Sequence, residues 1–345
     1  MANAEHLALL KQGVATWNRW KATHPEIVPD LSSANLKLGN LREADLRGVN
    51  LRWANLSCAN LLGANLSNAD LRKANLREVD LYRAKLIGAD LSGAYLCHTY
   101  LREANFNGAI LSSAMMANAD LTEALFSNAD LSGANLNGSD LIGSNLNHAT
   151  LSDADLQTAN LSKANLSFAN LSGANLTEAN LSNTNLSNAI LSNTNLTLSI
   201  LNDADLSDTI LNHAVLVGAD LSDAVLSNAN LSHANLTDAI LNRATLSNAT
   251  LSNANITNAQ MCDAILSDAQ LDHANLTGAN LNGAQLISAR LEAAFLIGTN
   301  LIKANLRLAV LTGVSFRDAN LSGASLSGAI MRGAVMPDGS VVGYE

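Results

Sequence analysis

Aromatic side chains are nearly missing from this 345-residue chain: five Phe, four Tyr and three Trp make up 3% of it, although 48% of residues are apolar. Large rings dominate buried area in ordinary cores. Their scarcity excludes the conventional two- or three-domain globule that length alone would favour. Proline is scarce as well. The only three, Pro25, Pro29 and Pro337, stand near the two ends, so nothing between them interrupts backbone pairing. The three cysteines, Cys58, Cys97 and Cys262, are odd in number and far apart. They exclude a disulfide framework and read as free thiols of a reducing compartment. No window reaches about eighteen uninterrupted apolar residues, which excludes a membrane-spanning helix and leaves no membrane partner to expect. The N-terminus lacks the basic flank and apolar core of a signal peptide. The expected compartment is the cytoplasm.

What fills the chain is a period of five. "LSGANLTEANLSNTNLSNAILSNTNL", from Leu171 to Leu196, returns Leu at every fifth residue, with a small residue two places before it. The register runs from Leu31 to Met336 as 62 consecutive pentapeptides without an insertion. Leu holds the centre in 54 of the 62 and Ala the position two before it in 49, so two positions in five are apolar and restricted in size. Separated by two, they point the same way in an extended segment. A helix cannot hold this pattern on one face, because five residues rotate the stripe by about 140°. A flat sheet would leave long open edges. A chain that turns a corner after every pentapeptide does neither: it stacks coil on coil and buries the centres as an internal ladder.

"ANLSG", "ADLSD" and "ANLTE" resemble the motif A-(D/N)-L-x-x of the pentapeptide repeat family, and the resemblance covers residues 29–338. It implies an all-β solenoid: a right-handed quadrilateral parallel β-helix with four repeats per coil and about fifteen coils. At ~4.8 Å between coils the stack would be roughly 75 Å long. The expected core includes Leu31, Leu51, Leu171 and Leu176, with Phe106, Phe126 and Phe316 where rings replace Leu.

The organisation predicted is an N-terminal helix and cap at 1–28, a repeat domain at 29–338 and a tail at 339–345. Residues 4–22 form the one helical stretch, with Leu7, Leu10, Val14 and Trp17 on one face and Trp20 beside it. It would lie over the first coil, since a solenoid must cover its terminal ladder ends. A partner-binding helix is the sharper alternative. The tail "PDGSVVGYE" reads as a turn and a short β-like run, too short for a strong cap. That leaves the C-terminal coil open to self-association.

Four repeats per coil place residues twenty apart above one another. Arg243 then falls between Asp223 and Asp263, and Arg83 beside Glu103, as exposed ion pairs. His213, His233 and His273 share a column that reads as a solvated face rather than a metal site. Charge is uneven: residues 31–102 hold ten Lys/Arg against six Asp/Glu, and residues 104–289 hold two against sixteen, including Glu123, Asp203, Asp223 and Asp263. Outward apolar residues gather near the C-terminal end at Ile287, Phe295, Ile297, Ile302 and Leu308, a candidate interface.

No phosphate-cradling loop, nucleophile elbow or metal-spaced Cys pair is present, so neither an enzyme nor a cofactor is expected. Ice binding would want regular Thr arrays, and Ser and Asn dominate instead. Two functions remain. One is a structural or protein-interaction scaffold with an unidentified protein partner. The other is a mimic of duplex DNA that binds or protects a DNA enzyme through the acidic middle. The family resemblance implies the second in the form of gyrase protection. In neither case is nucleic acid itself a partner.

Overall fold

The computed structural model describes residues 1–343 and divides into two compact units, Met1–Ala174 and Asn175–Glu345. The part of the predicted tail at Tyr344 and Glu345 lies outside the described residues.

The first unit opens with α1, Ala4–Lys11, and α2, Val14–Thr23. The single helix read over 4–22 is therefore broken. Gly13 takes φ 114°, a conformation open to glycine and costly for other residues, and the chain reverses there. Asn3 caps α1, its side chain accepting the N–H groups of Glu5 and His6. Of the predicted cap face, Leu10 and Trp17 are buried, while Leu7, Val14 and Trp20 are half-buried. Trp20 joins His6, Trp17 and His24 in one aromatic cluster, with centroids 5.3 to 5.5 Å apart.

From Asp30 onward every pentapeptide forms one side of a coil. Parallel bridges link residues twenty apart, beginning with Asp30↔Asn50 and Asn35↔Asn55, so four sides complete a turn. The stretch Ala54–Cys58 shows why the motif has this form. Ala54 N–H closes the preceding corner on Leu51 O at 3.0 Å. Asn55 N–H reaches back to Ala34 O at 2.9 Å, and Leu56 N–H reaches forward to Asn75 O at 2.8 Å. Ser57 N–H would be stranded at the next corner, but Asn55 Oδ1 accepts it at 3.1 Å. Cys58 N–H donates to Arg77 O at 3.0 Å. All five N–H groups are paired, as a backbone folded into a solenoid requires. Where Asn or Asp precedes the centre, as Asn55 does, its side chain is the acceptor that makes the corner, an Asx turn. The residue two after each centre is left-handed, Cys58 at φ 56° for example, which is why Asn, Asp and Gly collect there.

Inside, Leu31, Leu51, Leu171, Phe106 and Phe126 are fully buried. Phe106 and Phe126 lie one coil apart and stack at 4.8 Å with 2° between their planes. The small position is buried as well, Ala54 for example. Where it is a hydroxyl residue the group is tied back, as Ser139 Oγ donates to Leu136 O at 2.6 Å. Among the described residues, Ser144 Oγ is the buried side-chain atom left without a partner.

The second unit repeats the same bookkeeping: Asn235 N–H to Ala214 O, Leu236 N–H to Asn255 O, and Thr237 N–H to Asn235 Oδ1 at 3.2 Å. Leu176 and Phe316 are fully buried in it. Its last coil differs. Leu321, Leu326, Met331 and Met336 are only half-buried. The tail expected to be too short for a cap folds back as a hairpin: Val335 pairs antiparallel with Val341, and Met336 N–H donates to Ser340 O at 2.7 Å. Asp338 accepts from Ser340 and fixes the turn that Pro337 begins. The hairpin covers the side at 331–336 and leaves Leu321 and Leu326 at the open end.

Candidate interaction surfaces

The first unit carries a cap-to-coil joint that the sequence concealed. In the later coils of this unit, the residue before each centre donates its N–H to the coil below. The first coil has no coil below it. His6 Nδ1 stands in for one missing acceptor and takes Asp30 N–H at 3.0 Å. Asn18 replaces another: its Oδ1 accepts Asp45 N–H at 2.8 Å and its Nδ2 donates to Glu43 O at 3.0 Å. Trp17 Nε1 donates to Asp45 O at 2.7 Å. Arg47, bonded to Asp45 at 2.6 and 2.7 Å, holds that carboxyl below the usual carboxylate range. Burial depresses the nearby Lys21 ammonium, which lines a cleft of about 430 Å³ with Ala22, Pro25 and Arg47.

Beyond the cap, basic and aromatic side chains interleave on the side stacked over Leu36, Leu56, Leu76 and Leu96. Lys73 lies at one corner with its ammonium 4.7 Å from the Trp53 ring. Arg77 lies at the other, its guanidinium 5.1 Å from the Tyr95 ring. Asn75, Arg77 and Tyr95 line a shallow depression of about 320 Å³. Trp53 is 54% exposed and left-handed at φ 60°, although a bulky residue there costs roughly 1–2 kcal/mol. Such a residue at a strained position is the kind that function retains. Phe168, at φ 59°, is a second case, stacked on His148 at 4.9 Å. The neighbouring Arg52 and Arg72 are occupied by Asp70 and Asp90. Arg83 binds Glu103 at 2.7 Å and, with the Tyr82 hydroxyl at 3.0 Å, lowers the Glu103 carboxyl below its ordinary range. Glu123 stands exposed one coil further.

In the second unit Arg243 pairs with Asp223, which lowers that carboxyl, while among the described residues Asp203 and Asp263 form no ion pair. His213 and His233 stack at 4.9 Å, with Asn253 between His233 and His273. Among the described residues no group of three or more His, Cys, Asp or Glu could hold a metal ion. The C-terminal apolar residues do not share one side. Phe295 sits on a flat side and Ile297 at its following corner, Ile302 at the next corner, and Ile287 and Leu308 at the one after. Phe295 and Leu308 are 50% and 57% exposed, and the other three are half-buried. The structure also gathers threonines that the sequence reading missed. Thr177, Thr197, Thr237 and Thr257 share one column, and each Oγ1 donates to the Asn two residues before it at 2.6 to 2.7 Å. Those hydroxyls are turned to their own corners. The column appears only when the sequence is read at intervals of twenty.

No helix among the described residues is long and apolar enough to cross a membrane. The family model described as "Pentapeptide repeats (8 copies)" matches the chain in successive stretches from residue 30 to residue 333. No curated protein matches this chain in sequence. Among solved structures, the chain is similar to HetL, a pentapeptide repeat protein involved in heterocyst differentiation regulation from the cyanobacterium Nostoc sp. strain PCC 7120. The identity is 30%, over 85% of this chain and 91% of HetL, with a TM-score of 0.24. It is similar to Rfr23 from the cyanobacterium Cyanothece 51142, 38% identical over 25% of this chain and 58% of that one, TM-score 0.25. It is also similar to QnrB1, a plasmid-mediated fluoroquinolone resistance protein, 19% identical over 55% of this chain and 87% of that one, TM-score 0.30.

Proposed function

The chain belongs to the pentapeptide repeat family, and on that footing we propose that it works without catalysis, as a scaffold that binds other proteins on its flat outer sides. The observation that carries this reading is the division of labour within the pentapeptide. The small residue and the Leu are consumed by the core, so variation is confined to the three outward positions, including the one before the Leu, where Asn or Asp gives way to Tyr95 and Phe295. Those positions hold Trp53, Tyr95, Phe168, Phe295 and Leu308, all more than a third exposed. Exposed aromatics beside Arg have the composition of interface anchors, and a side without loops offers a surface rather than a pocket.

The test is affinity capture from lysate with the full chain at about 50 mM and about 500 mM salt, a range over which screening of exposed charges changes strongly. A protein captured at both, and lost on Trp53→Asn or Phe295→Asn, supports the scaffold.

Duplex mimicry is the second reading. Its support is the acidity of the second unit, where residues 175–289 carry ten Asp/Glu and one Arg. Arg243 weakens it by neutralising Asp223 in the middle of the acidic column. Capture of a DNA enzyme lost at high salt would favour it. Self-association through the C-terminal coil has its own support in the half-buried Leu321 and Leu326, and it predicts a dimer that persists at high salt.

A further inference from the structure

The coil has four sides, each one pentapeptide wide, and every side has a corner at each edge. Charges placed at both corners of one side can therefore face charges placed at both corners of another. Two sides of opposite sign use this. In the first unit, the Leu76 side has Lys73 at its preceding corner, Asn75 on the flat and Arg77 beside the exposed Glu78 at its following corner, with Lys37 in Arg77's column two coils earlier, so three cations stand against one carboxylate. Lys37, Lys73 and Arg77 are exposed, and among the described residues none forms an ion pair. In the second unit, the Leu206 side has Asp203 at its preceding corner, Asp205 on the flat and Asp208 at its following corner. Asp203 and Asp208 are exposed, and the partners of these carboxylates are neutral: Asn202, Ser207 and Asn228.

We propose that the Lys73–Arg77 side of one molecule docks flat against the Asp203–Asp208 side of a second copy of this chain. With the two axes parallel, each corner that carries a cation meets a corner that carries an anion, and coils at the same level face each other. One coil along, Tyr95 on the basic side and Val225 on the acidic side are 38% and 39% exposed on the flats, which places apolar contact between the charged edges. The interface is small, well under the ~1,200 Å² of a stable complex, so the association is transient. It joins two different patches, so one contact leaves a free patch of each sign and the assembly is not limited to two copies. The inference extends the scaffold reading and rests on its premise that the outer sides carry contacts. It does not need a foreign partner, so the capture experiment and the one below fail separately.

The test is sedimentation of the full chain at about 25 mM and about 500 mM salt, across which the screening length falls several-fold. Four samples are run: wild type, Lys73→Glu with Arg77→Glu, Asp203→Lys with Asp208→Lys, and an equimolar mixture of the two variants. The expected result is a weight-average mass that rises with concentration for wild type at low salt and stays monomeric at high salt. Each variant alone is monomeric at both, and the mixture regains association at low salt, which also proves both variants folded. Wild-type association that survives high salt, or variants that associate as wild type does, would overturn the proposal in favour of the C-terminal coil. A wild type monomeric throughout would overturn it too. Quenching of Trp53 fluorescence by heparin or a single-stranded oligonucleotide would then assign the basic side to a foreign polyanion.

Discussion

Asn18 uses its side-chain amide as a piece of strand against Asp45, accepting the Asp45 N–H at 2.8 Å and donating to Glu43 O at 3.0 Å. It supplies the first coil with the neighbour that the later coils of the first unit receive from the chain itself. Asn18→Ala leaves a backbone donor without its partner, a loss of roughly 1–3 kcal/mol. Trp17→Ala removes both a fully buried ring and the bond to Asp45 O, a loss of about 3–5 kcal/mol. Denaturant unfolding of the two variants against wild type measures both, and the expected order is Trp17→Ala worse than Asn18→Ala.

Ser144 gives a prediction of opposite sign. Its hydroxyl is buried at the small position without a partner, where most repeats have Ala. Ser144→Ala removes an unsatisfied polar group and is expected to stabilise by about 1 kcal/mol. Ser139 donates to Leu136 O, so Ser139→Ala is the control and is expected to be close to neutral. Melting temperatures of the pair decide it.

The core tolerates little change at either apolar position. Leu51→Ala opens a cavity one residue long in the ladder, at about 2–5 kcal/mol. Ala54→Leu overfills the neighbouring corner, at about 1–3 kcal/mol. Urea unfolding of both variants, read for midpoint at constant slope, tests whether the two positions are restricted in size from opposite directions.

Acid should destabilise the first unit through Asp45 and Asp70. Arg47 and Arg72 hold these carboxyls below their ordinary range. A carboxyl lowered by folding contributes stability that is complete above its unfolded value near ~4 and is lost as pH falls through the folded value. The melting temperature is therefore expected to be flat from neutrality to about pH 5 and to fall below about pH 4. Arg47→Gln with Arg72→Gln should flatten that fall, and a pH series of melting curves on both proteins reads it directly.

The architecture was legible in the sequence because two of five positions are fixed by the core at every repeat, and the period alone then fixes the coil. The Leu and Phe centres, from Leu31 to Phe316, are where the pattern put them. The break at Gly13 was not legible: the apolar spacing of Leu7, Leu10, Val14 and Trp17 continues across it, and a lone glycine in a helical pattern carries little information. His6 and Asn18 were missed because their role is to replace a strand that does not exist, which only the stacked backbone reveals. The strain at Trp53 was hidden as well, since nothing in the motif announces that the second residue after each Leu is left-handed. The pairing of Lys73 with Arg77 on one side, and of Asp203 with Asp208 on another, emerges only when corners are assigned. Sequence counted those residues as regional charge.

Inward positions make the fold, and outward positions are proposed to make the contacts. The most direct measurement is one panel assayed twice, for melting temperature and for capture of a lysate protein. The panel sets Trp53→Asn, Phe168→Asn, Phe295→Asn and Leu308→Asn against Leu51→Ala. At least one outward substitution is expected to abolish capture while melting within a few degrees of wild type, whereas Leu51→Ala lowers the melting temperature. Capture that follows stability alone, unaffected by every outward substitution, would contradict it.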